Sequence, residues 1–169
     1  MPTLAGVTVR LVQVSERWSG DCQPEDFVEL DYENRRKSRQ LVVSERGREY
    51  AFMLPRGTVL HDGDRLRAED GAIIGVRAAL EALSRIDCES ELELARVAYH
   101  LGNRHVALQL GTKFVAYQRD KVLDHMVGLQ GFRVSHVSEA FSPEPGAYRN
   151  HQWETPLVAI VAPRIDGTL

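Results

Sequence analysis

The stretch ELELARVAYHLGNRHVALQLGTKFVAYQ, residues 91–118, decides the fold. In its first half Leu94, Val97, Ala98 and Leu101 recur at i, i+3, i+4 and i+7, while Glu93, Arg96, His100 and Arg104 line the opposite side. Ser90 stands ahead of it as an N-cap, and Glu91 and Glu93 fall in the first turn, where the helix dipole favours negative charge. The spacing predicts a helix over residues 91–104. In the second half Val106, Leu108 and Leu110 alternate with polar or small residues, and Gly111-Thr112 can turn the chain into residues 113–118, which predicts a β-hairpin.

Downstream, Asp120 can cap a second helix with Val122, Leu123, Met126, Val127 and Gln130 on one side and Gly131 at its C′ position, after which residues 132–137 return as a strand. Upstream, residues 76–86 (VRAALEALSRI) fit helix by composition and strand by their neighbours. If residues 80–88 are a strand, the order becomes βαββαβ, a ferredoxin-like unit. The first 76 residues read as β structure, with β-prone runs at 7–14, 27–31, 40–43, 50–54 and 58–60. Glu45-Arg46-Gly47 and Asp62-Gly63-Asp64 supply the turns between them.

The expected class is therefore α+β. An N-terminal all-β barrel or sandwich occupies residues 1–76, a ferredoxin-like unit residues 77–141, and a proline-broken tail residues 142–169. The apolar run LVAIV at residues 157–161 either docks on its own domain or offers a strand edge to a partner.

Composition narrows the function. With 21 basic and 24 acidic side chains, net −3, the chain has no global attraction for nucleic acid or anionic membranes, and neither is an expected partner. The only basic run, Arg35-Arg36-Lys37-Ser38-Arg39, lacks an aromatic ladder and reads as a solvated loop or a docking patch for an acidic protein. Cys22 and Cys88 form no CxxC pair and read as free thiols. No apolar run approaches the roughly 20 residues that cross a bilayer, and no secretory leader opens the chain, so a cytoplasmic location is expected. No GxSxG elbow, Walker loop or GxGxxG is present, and no carboxylate is placed by motif as a general base beside a histidine, which argues against an enzyme.

Six histidines remain as carriers of chemistry, since imidazole suits nickel, copper and zinc. His100 and His105 are separated by about 140° on a regular helix and would not converge on one ion. His105 falls at the helix–strand junction, and its strand parity with Ala107 and Gln109 would aim it at the sheet face away from the helices. Near the two-fold axis of an isologous dimer, one such histidine per chain supplies two ligands to a shared ion. His100 and His125 are secondary metal candidates on the polar sides of their helices; His61 and His136 read as ordinary polar residues, and His151 lies in the tail.

The segment AYHLGNRHVALQL at residues 98–110, with Lys37-Ser38-Arg39, LPRGTVLHDGD at residues 54–64 and FSPEPGAY at residues 141–148, resembles the UreE family of urease accessory proteins. These motifs span most of the chain in family order. The resemblance implies a non-enzymatic nickel metallochaperone, a homodimer with a partner-binding β domain and a ferredoxin-like, nickel-binding, dimerising domain, and it favours strand for residues 80–88. It places the family's interface ligand on His105 and its tail ligand on His151, with Ni²⁺ as the metal and Zn²⁺ or Cu²⁺ able to substitute. The implied partners are the urease accessory GTPase and the apo-urease complex. Only His151 follows Tyr148, so a histidine-rich storage tail is missing, and Arg119 and Lys121 stand where some members carry peripheral histidines. The alternative is a scaffold of the maturation complex in which metal merely stabilises the dimer.

Overall fold

The computed structural model describes residues 12–145; residues 7–11 of the first expected strand, the end of the FSPEPGAY motif, His151 and the run at 157–161 lie outside them. The chain builds two sheets in succession. The first contains β1 (Val12–Arg17), β2 (Asp26–Leu30), β3 (Arg39–Val43), β4 (Glu49–Met53), β5 (Arg65–Ala68) and β6 (Ile73–Ala78), in the order β2-β6-β5-β1-β4-β3. Its two ends meet where Glu45 N donates to Phe27 O at 2.8 Å and Arg46 N to Asp26 Oδ1 at 3.3 Å, so the sheet nearly closes into a barrel. Alternation puts Val14, Val28, Phe52, Leu66 and Ile74 inside. Gly47 (φ 77°) and Gly63 (φ 81°) occupy left-handed positions in the two expected turns, a conformation that costs glycine little.

Two features of the barrel differ from expectation. Residues 58–60 form no strand: Leu60 is buried, but its N–H goes to Arg35 O (2.9 Å), so the segment connects β4 to β5 rather than joining a ladder. Arg35, read as the start of a solvated loop or docking patch, is instead buried at the end of a short helix, α1 (Tyr32–Arg35), where the Asp31 carboxylate accepts from Asn34 N at 2.7 Å and nucleates one turn.

The second sheet has the order β10-β7-β9-β8, built from β7 (Leu80–Asp87), α2 (Glu91–Gly102), β8 (Gln109–Leu110), β9 (Phe114–Gln118), α3 (Lys121–Leu129) and β10 (Ser135–Ala140), with all neighbours antiparallel. This is the βαββαβ ferredoxin-like arrangement. The ambiguous stretch is strand because β7 is central, paired with β9 on one side and β10 on the other, and that pairing overrides the helical leaning of its alanines and leucines. The caps form as expected: Ser90 accepts from Glu93 N, Asp120 from Val122 N and Leu123 N, and Gly131 takes φ 90° beyond α3.

The hairpin is shorter than expected. Gly111 N donates to Phe114 O at 2.9 Å, so Thr112-Lys113 rather than Gly111-Thr112 forms the turn, and residues 106–108 lie outside the ladder. On α3, Leu123, Met126 and Val127 face the sheet, but Val122 is 77% exposed, so its expected inward placement is corrected.

The sheet face away from α2 and α3 is not open. Leu83, Ala116, Val137 and Ala107 pack there with Tyr32 and Val59 of the barrel side and with Phe141, whose ring meets Tyr32 edge-on at 5.3 Å. Arg35 fastens the same seam by donating to Leu60 O and Phe141 O, and Tyr32 N donates to Glu81 Oε1 at 2.8 Å.

Candidate metal centre

The end of α2 determines where His105 sits. Asn103 N reaches Tyr99 O, and then Arg104 N and His105 N take Leu101 O and Gly102 O at 2.9 Å each, so the last turn tightens before the chain leaves. His105 itself adopts φ 56°, the only positive φ at a non-glycine among the described residues. A Cβ-bearing residue in this region is strained by about 1–2 kcal/mol. The strained residue redirects the chain from α2 toward β8 and leaves its imidazole on the exposed surface. Strand parity therefore does not orient His105, because it precedes the ladder by four residues, and the face it was expected to meet is covered by the barrel.

The other candidates scatter. His100 is exposed in the last turn of α2, its ring edge-on to Tyr99 at 5.5 Å, where a cationic residue complements the helix dipole. His125 is exposed on α3, and His61 lines a cavity beside the barrel. His151 lies outside the described residues. Among the described residues, no three His, Cys, Asp or Glu side chains come together closely enough to hold a metal.

Around these histidines the helices expose large apolar side chains: Leu92 (59%) and Tyr99 on α2, seven residues apart on one stripe, and Val122 and Leu129 on α3. On a monomer such stripes face water, which favours covering them with another surface.

One polar cluster escaped the sequence reading. Asp124 turns toward the sheet rather than the polar side of α3, its Oδ1 accepting from Tyr117 Oη at 2.8 Å and its Oδ2 lying 2.9 Å from His136 Nε2. The signal was present: Asp124 follows the capping Asp120 by one helical turn, and His136 shares parity with Phe132 and Val134. Burial pushes the Asp124 carboxyl up, but Ser84, His136 and Tyr117 outweigh it and hold the carboxyl below its ordinary value. Since the enclosed Ser84 Oγ makes no hydrogen bond of ordinary geometry, we assign the effect chiefly to the two bonds with defined lengths. Burial, reinforced by the bond to Asp124, pushes the Tyr117 phenol above its usual range. His136 is thereby engaged as a lock between α3 and β10.

The model of the UreE urease accessory protein N-terminal domain matches residues 11–79, and that of the C-terminal domain matches residues 81–156. The chain is 43% identical over 138 residues to the urease accessory protein UreE of Alkalilimnicola ehrlichii, covering 82% of this chain and 85% of that relative. It is 46% identical over 123 residues to that of Teredinibacter turnerae, covering 73% and 80%. It is 47% identical over 122 residues to that of Ectopseudomonas mendocina, covering 72% and 74%.

Proposed function

The chain belongs to the UreE family of urease accessory proteins, and from that premise we propose that it is a nickel metallochaperone that serves urease maturation without catalysing a reaction of its own. The observation that carries the reading is His105: strained, exposed and held at the tip of a tightened helix end. A non-glycine residue persists in the left-handed region where its surroundings over-determine it, often at functional sites, and that conformation with the exposed imidazole supports the reading.

In this reading two protomers pack through the exposed stripes of α2 and α3, and the two His105 imidazoles meet at the two-fold axis to hold one Ni²⁺. His151 from one or both tails completes the shell, while His100 and His125 stay peripheral. Residues 77–141 carry metal and dimer contact, residues 1–76 engage partners, and residues 142–169 bring the tail ligand. Few ligands and an exposed position suit transfer, because a recipient's ligands can enter before the donor's leave. The recipients are the urease accessory GTPase and the apo-urease complex in the cytoplasm. No helix of the described residues is long and apolar enough to cross a membrane.

Calorimetric titration with Ni²⁺ of the wild type, His105→Ala and His151→Ala tests the site. One tight ion per dimer, lost in His105→Ala and weakened about 10–100-fold in His151→Ala, is expected for removal of first and auxiliary ligands. Unchanged affinity in His105→Ala would overturn it. Tight binding with no transfer to a competing chelator would favour the scaffold alternative.

A further inference from the structure

We propose that the basic loops of the barrel form a groove for an acidic peptide segment of a partner protein, centred on Arg56. Two loops create it: the one leaving α1, with Arg36, Lys37, Ser38 and Arg39, and the one between β4 and β5, with Arg56. These five residues line a depression of about 340 Å³. Arg56 also lines an adjoining cavity of about 820 Å³, together with Arg17 and Glu16, which pair with Asp64 and Arg67, and with the prolines Pro55, Pro143 and Pro145. The two spaces share Arg56 as a lining residue, so a segment seated over the loop after α1 reaches the rim of the cavity beside the seam.

Charge selects the occupant. Arg36 pairs with Glu33 at 3.3 Å, but among the described residues no carboxylate lies within ion-pair distance of Arg35, Lys37, Arg39 or Arg56. Three exposed, unneutralised cations, Lys37, Arg39 and Arg56, are thus gathered on a chain whose net charge is −3. Arg35 is 1% exposed, and its guanidinium is satisfied only by the Leu60 and Phe141 carbonyls and by the Tyr32 ring at 5.6 Å, while Nε has no partner. Sealed beneath the surface, Arg35 adds positive potential to the groove without touching its occupant.

Shape distinguishes a chain from a single ion. One oxyanion would engage only one stretch of these two spaces, whereas an extended segment reaches from Arg39 past Arg56 and meets uncharged proline walls on the way. Beyond the basic end, Arg39 pairs with Met53 across β3 and β4, and the exposed Leu41, Val43 and Met53 extend the surface with apolar side chains. A partner carrying Asp or Glu interleaved with apolar residues matches both parts, since guanidinium forks bind carboxylates in planar, directional pairs. No exposed aromatic ladder accompanies the arginines, which disfavours a single-stranded nucleic acid. The groove is separate from nickel carriage and uses neither His105 nor the tail ligand.

Fluorescence anisotropy of a labelled, capped hexaglutamate with the full chain, without metal, tests it. Saturable binding is expected, weakened at least about fivefold by Arg56→Glu and by Arg39→Glu, with unfolding temperatures unchanged because both side chains are exposed. A loss smaller than fivefold in Arg56→Glu, or no binding to the folded wild type, would overturn the proposal. Competition by inorganic phosphate at equal concentration would reduce the groove to an oxyanion site, and tighter binding of hexathymidylate would reassign it to nucleic acid; either result overturns the peptide.

Discussion

Replacing Tyr117 by Phe deletes one oxygen from a fully buried ring and leaves the packing of β9 intact. What disappears is the 2.8 Å bond that Tyr117 Oη donates to Asp124. A hydrogen bond to an ionised group contributes about 1.5–3 kcal/mol. Asp124 keeps its 2.9 Å contact with His136 and some solvent access, with 16% of its side chain exposed, so the lower half of that range, about 1.5–2 kcal/mol, is expected.

The pH dependence has a definite sign. The folded Asp124 carboxyl titrates below its ordinary value of 3.8, so its contribution is complete above that value and disappears as pH falls through the folded pKa. The gap between wild type and Tyr117→Phe should therefore be constant from pH 7 to about 5 and shrink below 3.8, as the carboxylate that strengthens the bond is protonated. Urea unfolding followed by circular dichroism measures the gap. Carbon NMR of the Asp124 carboxyl should show its titration midpoint moving upward in the variant, because a donor has been removed. An unchanged urea midpoint at pH 7, or a midpoint for Asp124 that does not move, would refute the bond as a stabilising element.

Gly131→Ala should destabilise by about 1 kcal/mol through backbone strain alone, because Gly131 holds φ 90° while nothing lies within 4 Å of the added Cβ; thermal unfolding reads the loss. Iodoacetamide should label Cys22 well before Cys88: Cys22 is exposed, whereas burial first, then Glu93 and Asp87, push the Cys88 thiol up and deplete its thiolate. Peptide mapping after timed labelling decides it, and equal rates would show that Cys88 is open to solvent. The nickel titration of His105→Ala and the hexaglutamate experiment on Arg56→Glu complete the set.

By itself the sequence determined what local chemistry can encode. The 3.6-residue spacing of Leu94, Val97 and Leu101, the caps at Ser90 and Asp120, and the turns at Gly47 and Gly63 follow from short-range geometry, and they appear where the residues indicate. His105 was singled out by its place between a helix and a hairpin and by resemblance, not by any property visible in its own side chain. Only the tertiary structure decided the rest. Residues 80–87 became a strand because β9 and β10 flank them, and Asp124 turned inward because Tyr117 and His136 lie beneath α3. The sheet face expected to be open was closed by the barrel through Tyr32 and Phe141. His105 acquired a left-handed backbone because the tightened end of α2 had to be redirected toward β8. These outcomes depend on partners distant in the chain, and a local pattern of residues carries no record of which distant partner will fill the space beside it.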